Sequence, residues 1–229
     1  MRVSVIIPAL NEEETIADVV RGVPPAMADE VIVVDNGSED STSARASEAG
    51  AQVITESRRG YGRACAAGVR ALSSDCEIVV FLDGDGSDCP ELMDRLVEPI
   101  KEGRYDFVIG SRTRGRREPG SLNLQQVFAG RAAGLFLSAL YSVRYTDMCP
   151  FRAIRRESLE SLGMREQTYG WNLEMQMRTA RAGLRILEVP VNHRRRAGGK
   201  SKVSGTLRGT FMAEARILAT LARVAIERQ

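Results

Sequence analysis

The sequence predicts an α/β fold: a mostly parallel sheet with helices on both faces, followed by a C-terminal amphipathic helix. Three observations carry that expectation. Short unbroken runs rich in Val and Ile recur through the first half, as in strands buried on both faces. Helical segments separate them at the spacing of βαβ units. Polar residues collect directly after the runs, at Pro8 to Asn11, Asp35 to Ser38 and Asp83 to Asp88, along the edge where open α/β sheets bind ligands.

The elements follow in order. Val3 to Ile7 is the first strand, stopped by Pro8. Asn11 before Glu12, Glu13 and Glu14 reads as an N-cap followed by acids that suit the positive end of a helix dipole. That helix is expected to reach Arg21 and end at Gly22 and Pro24-Pro25. Val31 to Val34 is the second strand, Asp40 to Ala49 a helix closed by Gly50, and Gln52 to Thr55 the third strand. After Arg58-Arg59-Gly60-Tyr61-Gly62 a helix of small residues runs to Leu72, and Ile78 to Leu82 is the fourth strand. The second half is less regular. It offers helices at Glu91 to Lys101, Leu124 to Leu140 and Asn172 to Arg181, with strands at Phe107 to Ile109, Phe151 to Ile154 and Ile186 to Val191.

Composition narrows the function. The 229 residues suffice for one larger α/β domain, and no linker or internal repeat divides them. Basic residues number 32 and acidic residues 30, a net charge of +2 that lacks the excess a general nucleic-acid binder needs. Cys65, Cys76, Cys89 and Cys149 show no CxxC spacing and read as free thiols of a reducing compartment. With His193 the only histidine, a His-rich zinc site is excluded, and any metal would sit on oxygen ligands. The apolar start is too short for the core of a signal peptide, and Ala132 to Val143 is too short to span a bilayer. A cytoplasmic protein is expected.

Asp83 and Asp85 flank Gly84 at a strand end, where Gly84 would let the backbone turn sharply between them. Two such carboxylates, with a diphosphate and water, suit Mg²⁺ or Mn²⁺; Asp-Gly is equally a common turn pair. Asp35 before Asn-Gly-Ser can close an Asx-turn or bind a ligand. Glu174 can serve as a general base, orient an acceptor, or pair with Arg178 one turn on. Trp171 can stack on a sugar or fill the core. Between Glu188 and Glu214 there is no acid and six basic residues, with Gly198-Gly199 among them. Such a loop can close on a phosphate or stay solvated.

Taken together, Pro8-Ala9-Leu10-Asn11-Glu12-Glu13, Val33-Val34-Asp35-Asn36-Gly37-Ser38-Glu39-Asp40, Asp83-Gly84-Asp85, Gly110-Ser111-Arg112 and the basic stretch Arg195 to Lys202 resemble the family 2 glycosyltransferases, especially the polyprenyl- and dolichyl-phosphate sugar synthase branch. The resemblance implies a GT-A, Rossmann-like fold and a single domain. Residues 1–110 would bind the nucleotide-sugar, 111–202 would serve the acceptor and carry the basic loop, and 203–229 would be the amphipathic helix. It implies that Pro8, Ala9, Asn11, Glu12, Asp35, Gly60, Gly62, Asp83 and Gly84 line the nucleotide, with Asp35 on the base, and that Asp83 and Asp85 hold the metal. Asp85, Glu174, Arg196 and Lys200 would carry catalysis, and Arg112, Asp147, Arg195, Ser201 and Lys202 would contact phosphate or acceptor. Where relatives often place a glutamine as a further metal contact, this chain has Ser87 followed by Asp88.

The expected reaction is metal-dependent, inverting transfer from a nucleoside-diphosphate sugar, UDP-sugar favoured and GDP-mannose the variant, to a polyprenyl phosphate. A hydroxyl acceptor is the alternative within the class. A sugar-nucleotide pyrophosphorylase would carry a Gly-rich, lysine-containing signature near the first strand, which Ile7 to Asn11 lacks, and a non-catalytic nucleotide-binding subunit would not need both Asp83 and Asp85. The tail repeats apolar residues at helical spacing, at Leu207, Phe211, Ala215, Leu218, Leu221 and Ala225, with Arg208, Arg216 and Arg223 between them. That helix can pack on the domain or lie at the inner face of a membrane.

Overall fold

Val5, Ile6 and Ile7 are shut off from solvent, as are Ile32 to Val34, Ile78 to Val80 and Phe107 to Ile109. Residues this apolar on both faces need cover above and below, which a helix-covered sheet supplies. The computed structural model describes residues 1–121, 134–135, 137–141, 143–198, 220–221 and 223–224. Its strands are β1 (Arg2–Ala9), β2 (Glu30–Asp35), β3 (Gln52–Thr55), β4 (Cys76–Phe81), β5 (Phe107–Ser111), β6 (Arg152–Arg155) and β7 (Ile186–Pro190). The helices are α1 (Ile16–Gly22), α2 (Thr42–Glu48), α3 (Tyr61–Arg70), α4 (Asp94–Lys101), α5 (Arg156–Ser161) and α6 (Trp171–Arg181).

The seven strands form one sheet in the order β3-β2-β1-β4-β6-β5-β7. β1 pairs in parallel with both β2 and β4, so the chain winds outward through β2 and β3 and then returns to the other side of β1. The carboxyl ends of β1 and β4 therefore bound the switch-point crevice, the place where such sheets bind ligands. β6 runs antiparallel to both β4 and β5, while β5 and β7 are parallel, so the sheet is mixed in its second half.

Several expected boundaries move. Asn11 does not cap the first helix. It takes φ +50°, its side-chain oxygen accepts the Glu39 amide at 2.8 Å, and the helix starts only at Ile16. Between them the Glu12 carbonyl accepts the amides of Thr15 and Ile16, a tight turn that uses the acids before the helix begins. The helix expected from Glu91 is a 3₁₀ turn, Pro90–Leu92, followed by α4. α5 was not expected, because six residues are too few to show a helical period. Of the stretch Leu124 to Leu140, residues 134, 135 and 137–140 are helical and the remainder lies outside the described residues. Among the described residues no helix is long and apolar enough to cross a membrane.

Trp171 is buried and meets Phe81 edge to face with ring centroids 6.3 Å apart, so the sole tryptophan fills the core under β4. Residues 220, 221, 223 and 224 are helical and dock on the domain: Val224 is buried, its carbonyl accepts from Arg181 at 3.0 Å, and Thr220 donates to Glu166 at 2.9 Å. At those positions the tail packs on protein. The rest of the expected amphipathic helix, from 203 on, lies outside the described residues.

Candidate active site

The crevice at the ends of β1 and β4 gathers carboxylates faster than it gathers counter-charge. Asp83, Asp85 and Asp88 leave the end of β4 within six residues. Burial and the neighbouring Asp85 charge push the Asp83 carboxyl up to about 7, against the pull of Tyr61, Arg112 and Arg196. Burial, with the charges of Asp83 and Asp85, holds Asp88 well above the usual range. Tyr61, at the start of α3, donates its phenol to Asp83 Oδ1 at 3.0 Å, and Asp88 Oδ2 accepts the Asp83 amide at 3.2 Å. Asp85 Oδ1 accepts both the amide and the hydroxyl of Ser87, at 2.9 and 2.6 Å.

The turn differs from the expected one in where its glycines act. Gly86, not Gly84, takes the left-handed conformation, at φ +74°. Gly84 keeps a close approach instead: a Cβ there would stand 3.3 Å from Ile16 Cδ1 and 3.4 Å from the Pro8 carbonyl oxygen. Its own carbonyl accepts the Thr15 hydroxyl at 2.8 Å, which ties the end of β4 to the turn before α1.

The basic segment comes down onto this turn. Arg194 and Ala197 donate their amides to the carbonyls of Ser87 and Asp85, at 2.9 and 3.3 Å. Arg196 bridges the crevice: Nη1 lies 3.0 Å from both Glu12 oxygens, and Nη2 lies 3.0 Å from Asp85 Oδ2. Arg195 turns the other way, donating its amide to Glu118 at 2.7 Å and its Nε to the Pro119 carbonyl. Lys200, Ser201 and Lys202 lie outside the described residues. His193 is buried, and burial together with the Arg112 charge lowers it to about 4, so it is neutral at pH 7. Its Nδ1 stands 3.9 Å from Asp88 Oδ1, beyond hydrogen-bond reach.

The end of β4 thus brings Asp83 and Asp85 beside Arg196 of the late basic segment. The family model for Glycosyl transferase family 2 matches residues 4–163. The chain belongs to the family 2 glycosyltransferases. A glycosyltransferase of Mycobacterium tuberculosis is 39% identical over 215 residues, covering 92% of this chain and 94% of its own. The undecaprenyl-phosphate mannosyltransferase of Micrococcus luteus is 32% identical, covering 91% of this chain and 90% of its own. Among solved structures, glucosyl-3-phosphoglycerate synthase from Mycobacterium tuberculosis, in complex with Mn²⁺, UDP-glucose and phosphoglyceric acid, superposes with a TM-score of 0.78 at 28% identity. That superposition covers all of this chain and 81% of the synthase chain. The glycosyltransferase is thus of the polyprenyl-phosphate sugar synthase type in sequence and of the GT-A type in fold. The pyrophosphorylase and non-catalytic readings fall away with the family assignment.

Other residues of the glycosyltransferase named from its sequence meet different neighbours. Asp35 accepts the Ser38 amide at 2.8 Å and the Ser43 hydroxyl at 2.5 Å, so its carboxylate organises the turn into α2. Asn36 donates to the carbonyls of Glu56 and Arg58 and accepts the Gly60 amide at 2.6 Å. A Cβ on Gly60 or Gly62 would lie 2.3 Å from the backbone oxygens of Gln167 and Glu166, so packing against that segment accounts for both glycines. The same contact seats Tyr61 beside Asp83. Arg112 and Asp147 pair with each other through two hydrogen bonds, at 2.8 and 2.7 Å.

Glu174 is fully buried and both its oxygens are occupied. One accepts the amides of Arg165 and Glu166, at 2.9 and 2.6 Å; the other accepts Arg178 and Arg223, each at 3.0 Å. A carboxylate with four donors is a poor general base, so its role is to hold 165–166 against α6. Glu174→Gln is expected to lower stability by about 2–3 kcal/mol, because an amide nitrogen would face donors. Turnover per folded molecule should stay within about threefold, against a loss of about 10²–10⁴ for a true base. Denaturant unfolding and steady-state rates on the same preparation separate the two. Thr15 was not named from the sequence, Asp88 was noted only as the residue after Ser87, and Tyr61 was given no role. The only signal for Tyr61 was its place between two glycines.

Proposed function

We propose that this enzyme transfers a sugar, with inversion, from a nucleoside-diphosphate sugar to a polyprenyl phosphate, using a divalent metal held by Asp83 and Asp85. The observation that carries this reading is the placement of Asp83 and Asp85 together at the switch-point end of β4, where burial and the Asp85 charge raise the Asp83 carboxyl even with Arg196 on Asp85, and where a divalent cation would supply further positive charge. Among the described residues no group of three or more His, Cys, Asp or Glu side chains is arranged to hold a metal alone. Two carboxylates completed by a diphosphate and water fit Mg²⁺ or Mn²⁺, which keep several non-protein ligands. When bound, the metal would offset the charge that develops on the departing diphosphate.

The chain's own residues do the rest. Asp85 and Ser87 shape the turn, Tyr61 orients Asp83, and Arg196, beside Asp85, would meet the departing diphosphate. The acceptor phosphate oxygen attacks the anomeric carbon as the bond to the diphosphate breaks, and the nucleoside diphosphate leaves with the electron pair. One in-line displacement inverts the centre. A phosphate monoester is largely dianionic at pH 7 and needs no base. That agrees with the carboxylates of Glu174 and Asp147 being held by Arg178, Arg223 and Arg112. The likeness to a synthase solved with UDP-glucose supports a UDP-sugar donor; GDP-mannose is the variant that the mannosyltransferase relative supports. A hydroxyl acceptor is the second reading, favoured by the phosphoglyceric acid bound to the structural neighbour.

The test is transfer of radiolabelled sugar from UDP-glucose or GDP-mannose to a polyprenyl phosphate and, separately, to phosphoglyceric acid, with Mn²⁺ or EDTA. Product on the lipid alone supports the first reading, product on the soluble acid the second, and metal-independent transfer overturns the metal. The Asp83 carboxyl gives a pH signature. Metal must displace its proton, so Mn²⁺-dependent UDP-glucose binding is expected to weaken by up to about tenfold per pH unit below 7. In Asp83→Asn that slope should vanish. Calorimetry from pH 5.5 to 8 checks it, and a flat profile in the wild type would contradict it.

A further inference from the structure

The acid cluster is not without a cation in this structure; the chain supplies its own. Arg196 sits half-buried between Glu12, from the end of β1, and Asp85, from the end of β4, with three contacts at 3.0 Å. Its position is built. The Ala197 amide holds the Asp85 carbonyl, the Arg194 amide holds the Ser87 carbonyl, and a Cβ on Gly198 would collide with Glu14 at 2.2 Å. The segment 194–198 therefore lies down on the metal-holding turn with its guanidinium on Asp85, the carboxylate that the donor reading assigns to the metal.

From this we infer that Arg196 sets the order of binding: it keeps the metal off Asp85 until a nucleoside diphosphate arrives, so the metal and the donor enter together. The inference rests on the donor site proposed above. Metal alone must displace the Arg196 guanidinium from Asp85, where it is anchored from the other side by its two Glu12 contacts. A diphosphate changes the exchange. It presents oxygens that suit the planar guanidinium fork as well as a carboxylate does. Arg196 then passes from Asp85 to the phosphates, and Asp85 is released to the metal. The cationic loop thus acts before the chemistry as a guard against metal loading in the absence of substrate, and during it as a partner of the leaving group.

The experiment measures Mn²⁺ binding with no nucleotide, by the electron paramagnetic resonance signal of free Mn²⁺, and repeats it with saturating UDP and with saturating GDP. In the wild type, one nucleotide should tighten Mn²⁺ strongly. In Arg196→Gln, Mn²⁺ alone should bind about tenfold tighter than in the wild type, the scale on which one adjacent guanidinium changes a carboxylate's cation affinity. The factor by which the nucleotide tightens Mn²⁺ should fall correspondingly. Arg196→Lys, which contacts through a single point, should shift the same way by less, and it keeps the test open if the Gln variant does not fold. Unchanged or weaker Mn²⁺ binding by both variants, with Mn²⁺·nucleotide binding intact in the wild type, overturns the inference and leaves the donor reading standing. Absence of Mn²⁺·nucleotide binding in the wild type overturns both.

Discussion

Asp85→Ala is expected to lower kcat/KM for the donor sugar by about 10³-fold, which corresponds to the several kcal/mol that a metal contributes to a developing charge. The size follows from how much one side chain does. Asp85 Oδ2 takes Arg196, and Oδ1 takes the Ser87 amide and hydroxyl. Asp85→Asn separates these contributions, because an amide oxygen keeps the Ser87 contacts while the charge is lost. If metal holding dominates, both variants fall alike, and calorimetry shows Mn²⁺-dependent nucleotide binding lost in both. Folding should not suffer. Removing the Asp85 charge relieves Asp83, whose carboxyl that charge helps to push up, so unfolding midpoints are expected to stay level or rise slightly. Activity within tenfold of wild type, insensitive to EDTA, would sink the assignment.

The second large effect is on stability. Asp147→Ala is expected to cost about 3–5 kcal/mol, because it strands the Arg112 guanidinium in a site where the two side chains are only 14% and 4% exposed. Burial works against the Asp147 charge, and the Arg112 guanidinium outweighs it, holding the carboxyl below its usual range. The carboxylate also accepts the amides of Arg112 and Met148, at 2.8 Å each, so alanine leaves backbone groups unpaired as well. Replacing both partners, as Arg112→Met with Asp147→Leu, should recover most of the loss, since a well-packed apolar pair escapes the desolvation of two charges. Urea unfolding of the two single variants and the double variant reads this directly. A single-variant loss below about 1 kcal/mol would show that Arg112 finds another partner.

The two predictions also separate what could be read from residues and what could not. The switch-point crevice was legible, because Val- and Ile-rich runs separated by helices leave few topologies open, and their polar ends fall on one edge. Asp83 and Asp85 stood out for the same reason. Asp147 did not declare its partner: nothing in the order of residues says that a side chain 35 positions away, Arg112, will meet it in a buried pair. Glu174 shows the converse. Its spacing to Arg178 was visible along one helix, but Arg223 and the amides of 165 and 166 arrive from other segments and turn a candidate base into a structural hub. Asn11 failed as a cap because the turn that follows binds its own amides to the Glu12 carbonyl and delays the helix.

Short-range chemistry accounts for the strands and helices of the first half, the parallel winding, the edge that carries the site, and the motif order that marks a family 2 glycosyltransferase. Which charges meet follows from how the elements pack. The tertiary structure placed β6 antiparallel between β4 and β5, packed Gly60 and Gly62 against 166–167 so that Tyr61 reaches Asp83, and set Arg196 between Glu12 and Asp85. The reason is one of range. Hydrophobic period and turn chemistry act within a few residues and can be read in order, whereas the Arg112–Asp147 and Arg196–Glu12 pairs depend on the relative placement of elements 35 and 184 residues apart.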